Sequence, residues 1–433
     1  MHITVLGAGI MGVSTAWHLL EQGHTVTVVD RQAEAAMETS FANAGQISVG
    51  YCEPWANRDA PWKALKWMFS KQAPLLFRPQ WPLGAGWQQY RWALAFLAQC
   101  NDAAFARNVQ QLVALGAYSH QALKEMVQAT AMQYHRLEKG IAHIFLDQKS
   151  FDGAGAAATM MARYGVQRQL VSREQLLQIE PAFAHYAPHI VGATYTASDE
   201  SGDARLFTQQ LAQRCAARGA QFLWEHDVLS LTPRGDALDT VSVRDRRSAR
   251  VSALRGDQFV VCMGSFTAPL LRPLGLHLPI YPGKGYSATF KILQPEKAPS
   301  VSFIDDSVKC AMTRMGDALR VAGTIEVGGF DTGLGDAVAR ARCQMLAQRV
   351  EALFPGVCDT RPESAGGAPR FWSGLRPATP TNIPYIGQSP IKKLWVNAGH
   401  GTLGWTHGAG SGKALAALIS GGRPKLDFDF YGF

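Results

Sequence analysis

Two glycine-rich strand–turn–helix stretches, one at each end of the chain, and a strand-rich middle predict an α/β plus α+β protein. The first stretch is "HITVLGAGIMGVSTAWHLLEQGHTVTVVD" (2–30) and the second is "LWVNAGHGTLGWTHGAGSGKALAALI" (394–419). Between them lie "KGYSATF", "VKCAMTRM" and "ALRVAGTIE" (284–326), which read as strands of an antiparallel sheet. The expected architecture is a discontinuous, Rossmann-like nucleotide-binding domain with a substrate domain inserted in pieces. A length of 433 residues agrees with two domains rather than one core.

The first stretch is the most specific signal. Ile3 to Leu6 form a short buried strand, and Gly7, Gly9 and Gly12 give G-x-G-x-x-G. A helix is expected from Ile10 to Gln22, stopped at Gly23. "HTVTVV" is the next strand and ends in Asp30, 18 residues beyond Gly12, where an acid can bind ribose hydroxyls. Gly7 permits the turn, Gly9 lets backbone N–H groups reach a pyrophosphate, and Gly12 lets helix and strand pack closely. The helix N-terminus adds partial positive charge toward the phosphates. The motif alone does not separate FAD from NAD.

Further elements follow in order. "SFANAGQISVGY" (40–51) is loop-like. Residues 54–107 hold Trp55, Trp62, Trp67, Trp81, Trp87 and Trp92, six of the eleven tryptophans, beside Arg58, Lys63, Lys66, Lys71, Arg78 and Arg91. Tryptophan interleaved with lysine and arginine is the composition of a segment resting on an anionic bilayer. The competing reading is an aromatic substrate-domain core with a solvated basic face. Residues 108–146 are expected to be helical, and "SREQLLQIEPAF" a short helix with a Ser172/Gln175 capping box. "DARLFTQQLAQRCAARGAQFLWEHDV" is a helix stopped at Gly219 and followed by a strand, and "DTVSVRDRRSARVSAL" (239–254) is a hairpin. "DQFVVCMGSF" is a buried strand ending at Gly264, which returns the chain to the nucleotide-binding sheet. The nucleotide-binding domain is therefore expected at 1–53, 198–276 and 366–433, and the substrate domain at 54–197 and 277–365.

Bulk properties narrow the chemistry. A net charge of +8 favours anionic partners. Seven dispersed cysteines, none in C-x-x-C, fit free thiols in a reducing compartment better than a disulfide framework. No signal peptide and no 18-residue apolar window are visible, so a cytoplasmic location without a spanning helix is expected. "GAGSGKA" fails as a phosphate-binding loop because His407 and Ala414 stand where glycine and a hydroxyl residue are required. No G-x-S-x-G occurs, and no metal-ligand spacing: His185 and His189 lack a third ligand. No nucleic-acid motif accompanies the basic balance.

Five strings carry a resemblance that covers Met1 to about Gly421: "ETSFANAGQISVGY", "DESGDARLFTQ", "YPGKGYSATF", "FWSGLRP" and "NAGHGTLGWTHGAGSG". In this order they resemble the D-amino-acid dehydrogenase small subunit family, within the FAD-dependent amine oxidoreductases that include glycine oxidase and D-amino-acid oxidase. The resemblance implies extended FAD and oxidation of a D-amino acid to an imino acid by hydride transfer from Cα to flavin N5. The imino acid hydrolyses to a 2-oxo acid and ammonia. It also implies electron transfer to a quinone or another acceptor, at the cytoplasmic face of the inner membrane. Two alternatives keep the fold: a cyclic or N-substituted substrate such as D-hydroxyproline, or a non-catalytic or partner-dependent membrane-associated flavoprotein. An NAD-dependent dehydrogenase is the last alternative.

The same resemblance implies a site. Arg376 of "GLRP" clamps the substrate carboxylate, a task suited to a fork of N–H donors. Tyr51 and Tyr286 wall the substrate, with core packing as the competing role. Lys284 stands near the flavin or in a surface ion pair, and His400 lies near the isoalloxazine without serving as a required base. FAD contacts are expected from Gly7, Ala8, Gly9, Ile10, Met11, Gly12, Asp30, Arg31, Ser40, Asn43, Ala44, Gly45 and Gln46. Val228, Met263, Gly264, Gly399, Gly401, Thr402, Leu403 and Gly404 complete the set. The glycine-rich loop would present N–H groups to the N1/O2 edge of the flavin. Departures from the family pattern fall at Glu200–Ala204 and Ala378–Gly387, and in the tail "KLDFDFYGF". A second arginine known from glycine oxidases is absent from Gly401–Gly404, so substrate identity is less constrained than reaction class.

Overall fold

The computed structural model describes residues 1–62, 74–80 and 83–432. A six-stranded sheet runs Tyr385–Gln388, Leu394–Ala398, Gln258–Val261, His2–Leu6, Thr25–Val29 and Gln221–Leu223. All neighbours are parallel except the Tyr385–Gln388 edge. The central strands are apolar runs with a buried face on each side, as parallel sheets require. On one side the helix Gly404–Ile419 packs against both Ile10–Glu21 and Asp102–Thr130. Gly410 and Gly412 allow that contact: a Cβ there would meet the backbone of Ser119 at 2.5 Å and of Ser14 at 2.6 Å. The second half of the glycine-rich C-terminal stretch therefore serves helix packing.

The second sheet has nine strands, in the order Arg370–Ala378, Tyr281–Lys291, Ala318–Val327, Cys310–Met315, Ser302–Asp305, Ile141–Phe145, Gly192–Thr196 and Gln169–Ser172, with Leu75–Phe77 beside Ala318–Val327. It is antiparallel apart from two parallel pairs, Ser302–Asp305 with Ile141–Phe145 and Ala318–Val327 with Leu75–Phe77. One face packs on the helix Ala337–Leu353 through Tyr286, Ala288, Phe290, Leu319, Val321, Cys343 and Leu346. A three-stranded antiparallel sheet, His226–Arg234, Ala237–Asp245 and Val251–Leu254, contains the expected hairpin.

Local signals translate directly. Ser172 accepts from the Gln175 N–H while the Gln175 side chain accepts from the Ser172 N–H, the expected capping box. Gly219 has φ +94° just after the helix Ala204–Ala217. Two expectations need correction. The helix read over 108–146 ends at Thr130, where Ala131 takes a left-handed conformation, and 141–145 is a buried strand. A five-residue apolar run has no periodicity that separates helix from strand, and pairing with Ser302–Asp305 and Gly192–Thr196 decides it. Residues 370–378, expected beside the nucleotide sheet, pair in continuous register with Tyr281–Lys291 as an edge of the larger sheet.

The tryptophan-rich segment divides. Trp92 is buried, its indole N–H donating to the Ala378 carbonyl at 2.9 Å, whereas Trp62 is 74% and Trp87 53% exposed. Lys63, Lys66, Trp67, Lys71 and Trp81 lie outside the described residues. Among the described residues no helix is long and apolar enough to cross a membrane.

Candidate active site

The two sheets enclose a cavity of about 1870 Å³, well beyond the roughly 300–1,000 Å³ of an ordinary small-molecule pocket. It holds room for a dinucleotide and a second reactant. One end is built from the N-terminal turn. Gly7, Gly9, Ile10 and Met11 line it, and Gly9 caps the helix Ile10–Glu21. Gly12 is out of the cavity: a Cβ there would lie 1.8 Å from the Gly7 carbonyl oxygen, so it holds the helix against the turn. Ala8 is also buried away from the cavity, and its N–H donates to Asp30 Oδ2 at 2.6 Å. Asp30 Oδ1 accepts from the Gln32 N–H at 2.8 Å, and burial raises the carboxyl pKa against the pull of these two donors. Arg31, Ser40, Asn43, Ala44, Gly45, Gln46, Val228, Met263 and Gly264 all line the same cavity.

Ala398 to Thr406 border the cavity as well, so both glycine-rich stretches meet in one space. The helix Gly404–Ile419 starts there, and its first N–H groups have no partner within the helix. The Gly401 N–H is engaged by the Pro377 carbonyl at 2.9 Å and is not available to a ligand, contrary to expectation. His400 is buried and accepts or donates at Nε2 with Ser411 Oγ at 2.9 Å, while Nδ1 has no partner. Burial and the neighbouring His407 hold its pKa well below the ordinary value, so the ring is neutral.

The floor at the other end is the nine-stranded sheet. Arg376 extends over Gly285, where a Cβ would stand 2.0 Å from Nη1, and donates to the Thr324 carbonyl at 2.8 Å. Thr324 holds φ +54°, an uncommon conformation for a β-branched residue and one concentrated at functional sites. Burial pushes the Arg376 pKa down to about 10, so it stays charged at neutral pH. Among the described residues no carboxylate pairs with it. A half-buried guanidinium that faces a cavity without a carboxylate partner is suited to an anion.

The strand pleat separates the remaining expected residues. Residues 372, 374 and 376 face the cavity, and so does Gly285, whereas Lys284 and Tyr286 face the helix Ala337–Leu353. Tyr286 borders the cavity only at the sheet: its hydroxyl donates to Glu326 Oε2 at 2.7 Å inside the core, and burial, with Glu326, drives its pKa up. Lys284 does not line the cavity and donates to the Gly333 carbonyl at 2.6 Å. Neither side chain is presented to a ligand, because one residue of pleat places it on the opposite face. Tyr51 does line the cavity, edge-on to His143 with ring centroids 4.7 Å apart.

His143, Arg168 and Lys309 also line the cavity, and no local pattern announced them. Asp199 lies one layer behind, accepting from Ser48 Oγ at 2.7 Å and the Gly50 N–H at 3.1 Å. Its burial pushes the carboxyl up to about 6. It opens the string "DESGDARLFTQ", so a signal existed in the sequence without singling out the residue.

A parallel sheet with a G-x-G-x-x-G turn, joined to an antiparallel sheet across one shared cavity, is the arrangement of a dinucleotide-binding protein with room for a second reactant. The chain belongs to the FAD dependent oxidoreductase family, whose model matches residues 2–418. It is 43% identical over 430 residues to a D-amino acid dehydrogenase of Dechloromonas aromatica (strain RCB), covering 99% of each chain. A D-amino acid dehydrogenase of Allorhizobium ampelinum is 40% identical over 99% of this chain and 96% of its own. Among solved structures, glycine oxidase from Geobacillus kaustophilus superposes with a TM-score of 0.71 at 20% identity, covering 98% and 96% of the two chains. L-Proline dehydrogenase from P. horikoshii gives 0.69 at 16%, covering 98% and 94%.

The residues present fit FAD. Gly9 opens directly to the cavity, since a Cβ there would meet only Ser40 Oγ at 3.6 Å. The partly buried Asp30 carboxylate and two helix N-termini face the same space.

Proposed function

We propose that this chain oxidises D-amino acids to imino acids, which hydrolyse to 2-oxo acids and ammonia. The observation that carries this reading is the unpaired Arg376 guanidinium on the floor of the cavity that the nucleotide-binding turn opens into. Bound FAD would supply the two-electron oxidant for the Cα–H bond, with a quinone or another acceptor as the final destination of the electron pair. Gly9 to Met11 would hold the pyrophosphate and Asp30 the ribose, and residues 399–406 would border the ring. Arg376 would fix the substrate carboxylate through two N–H donors and so aim the Cα hydrogen. The Thr324 carbonyl accepts from the guanidinium, which lies over Gly285. Neutral His400 is no proton acceptor of consequence, since its pKa lies far below that of an amino group. The relatives named D-amino acid dehydrogenase, at 40–43% identity over nearly the whole chain, support the substrate class. Anaerobic mixing of the holoenzyme with D-alanine and a panel of other D-amino acids is the test. The expected result is bleaching of the flavin band near about 450 nm, and a panel that leaves the band intact sinks the reading.

We also propose peripheral contact with the cytoplasmic face of the inner membrane. Trp62, Trp87, Leu94 and Leu97 are exposed, by 74%, 53%, 63% and 50%, in one stretch of chain that also carries Arg58 and Arg91. Co-sedimentation with vesicles containing anionic lipid checks it; recovery of all protein in the supernatant at low salt counts against it.

A further inference from the structure

The cavity continues along the sheet past Arg376. Ala322, Ala311, Ile304 and His143 form one row across four neighbouring strands, paired Ala322 with Ala311, Ala311 with Ile304 and Ile304 with His143. All four line the cavity; Ala322 and Ala311 leave space on the floor, while the Trp372 ring lies over Gly374 beside the arginine. At strand spacings of about 4.8 Å, His143 lies roughly 14 Å from Ala322.

Polar groups gather at the far side of this floor. Lys309 precedes Cys310, which pairs with Gly323, so it stands one strand, about 5 Å, from Thr324, whose carbonyl holds Arg376. Its ammonium pairs with Asp306, leaving two further donor positions. Tyr51 and His143 stack edge-on beside it, and among the described residues neither the phenol hydroxyl nor the imidazole has a hydrogen-bond partner. Arg168 closes the corner, donating to the Gly50 carbonyl at 3.0 Å through Nε and pairing with Glu53. Polar atoms that face a cavity without partners are groups kept for a ligand or water.

We infer that Lys309, Tyr51 and His143 form a second binding pole for the substrate side chain, selecting D-amino acids whose side chain ends in a hydrogen-bond acceptor, a carboxamide or carboxylate. The inference rests on the D-amino acid reading. With the α-carboxylate on Arg376, the side chain would run over Ala322 and Ala311, which offer space and no competing polar group. An apolar side chain of equal length would leave the pole unsatisfied, and site groups of this kind discriminate more strongly than an apolar wall does.

The experiment compares kcat/KM for D-glutamine and D-norleucine with a dye acceptor, in the wild-type holoenzyme and in Lys309→Met and Tyr51→Phe. The wild type is expected to favour D-glutamine by about tenfold, and each variant to lower that ratio by about fivefold or more, mainly through KM for D-glutamine. Flavin absorbance confirms that each variant is loaded. A wild type that favours D-norleucine overturns the inference, and so do loaded variants in which both substrates fall together. If Lys309→Met does not retain flavin, Tyr51→Phe alone decides. D-Alanine separates the two levels of the argument: a holoenzyme that it and the other D-amino acids leave oxidised defeats the substrate class itself, whereas turnover of D-alanine with no D-glutamine preference defeats only the second pole.

Discussion

The two ends of the cavity are made differently. The glycine turn and the acid of the nucleotide end come from one contiguous run, Ile3 to Asp30, in which backbone conformation does most of the work. The sheet end collects Tyr51, His143, Lys309, Thr324 and Arg376 from five separate segments, and side-chain direction does the work. The first is therefore sensitive to any added atom, the second to lost charge and changed polarity.

The largest effect is expected from breaking the nucleotide end. Gly12→Ala places a methyl 1.8 Å from the Gly7 carbonyl oxygen, so the helix Ile10–Glu21 must move away from the turn. The purified protein should carry little or no flavin and melt at lower temperature; a fully yellow Gly12→Ala protein would contradict the packing role.

Breaking the sheet end should spare the cofactor and cost the chemistry. Arg376→Ala is expected to keep flavin absorbance and to lower kcat/KM for D-amino acids by about 4 kcal/mol, roughly 10³-fold. Because no carboxylate among the described residues pairs with Arg376, removing it should not lower the melting temperature of the apoprotein. A drop in stability with unchanged turnover would reverse the assignment.

The smallest effect sharpens the comparison at the loop between the ends. Asp199 holds Ser48 and Gly50, both beside the cavity wall, and its carboxyl is pushed up to about 6 by burial. The folded state thus binds its proton more tightly than the unfolded chain, where the ordinary value is 3.8. The stability this contributes is complete below about pH 4 and is lost as pH rises through about 6, up to about 3 kcal/mol in all. In Asp199→Asn, urea midpoints between pH 4 and 7 should show a flatter pH dependence than in the wild type, and parallel curves would rule the linkage out.

Much of this could be read without coordinates. The G-x-G-x-x-G turn, the acid at position 30, the stop at Gly219, the Ser172 cap and the strands of the middle region follow from local stereochemistry and periodicity. Arg376 was legible through its string, and its unpaired state was not, because pairing depends on which strands lie nearby. Tyr286 and Lys284 show the limit most clearly. They occupy the same string as Gly285, yet the pleat turns both into the core and only Gly285 toward the cavity. His143 sits in an apolar run that carries no functional signal.

The sequence alone determined the nucleotide end, since a turn and a helix start are set by residues within one turn of each other, and its resemblance to a family implied the reaction class. Only the tertiary structure decided which face each strand residue shows, which charges are left without a partner, and that two glycine-rich stretches from opposite ends share one cavity. Those facts depend on register between distant strands, where a shift of one residue exchanges the core face for the cavity face.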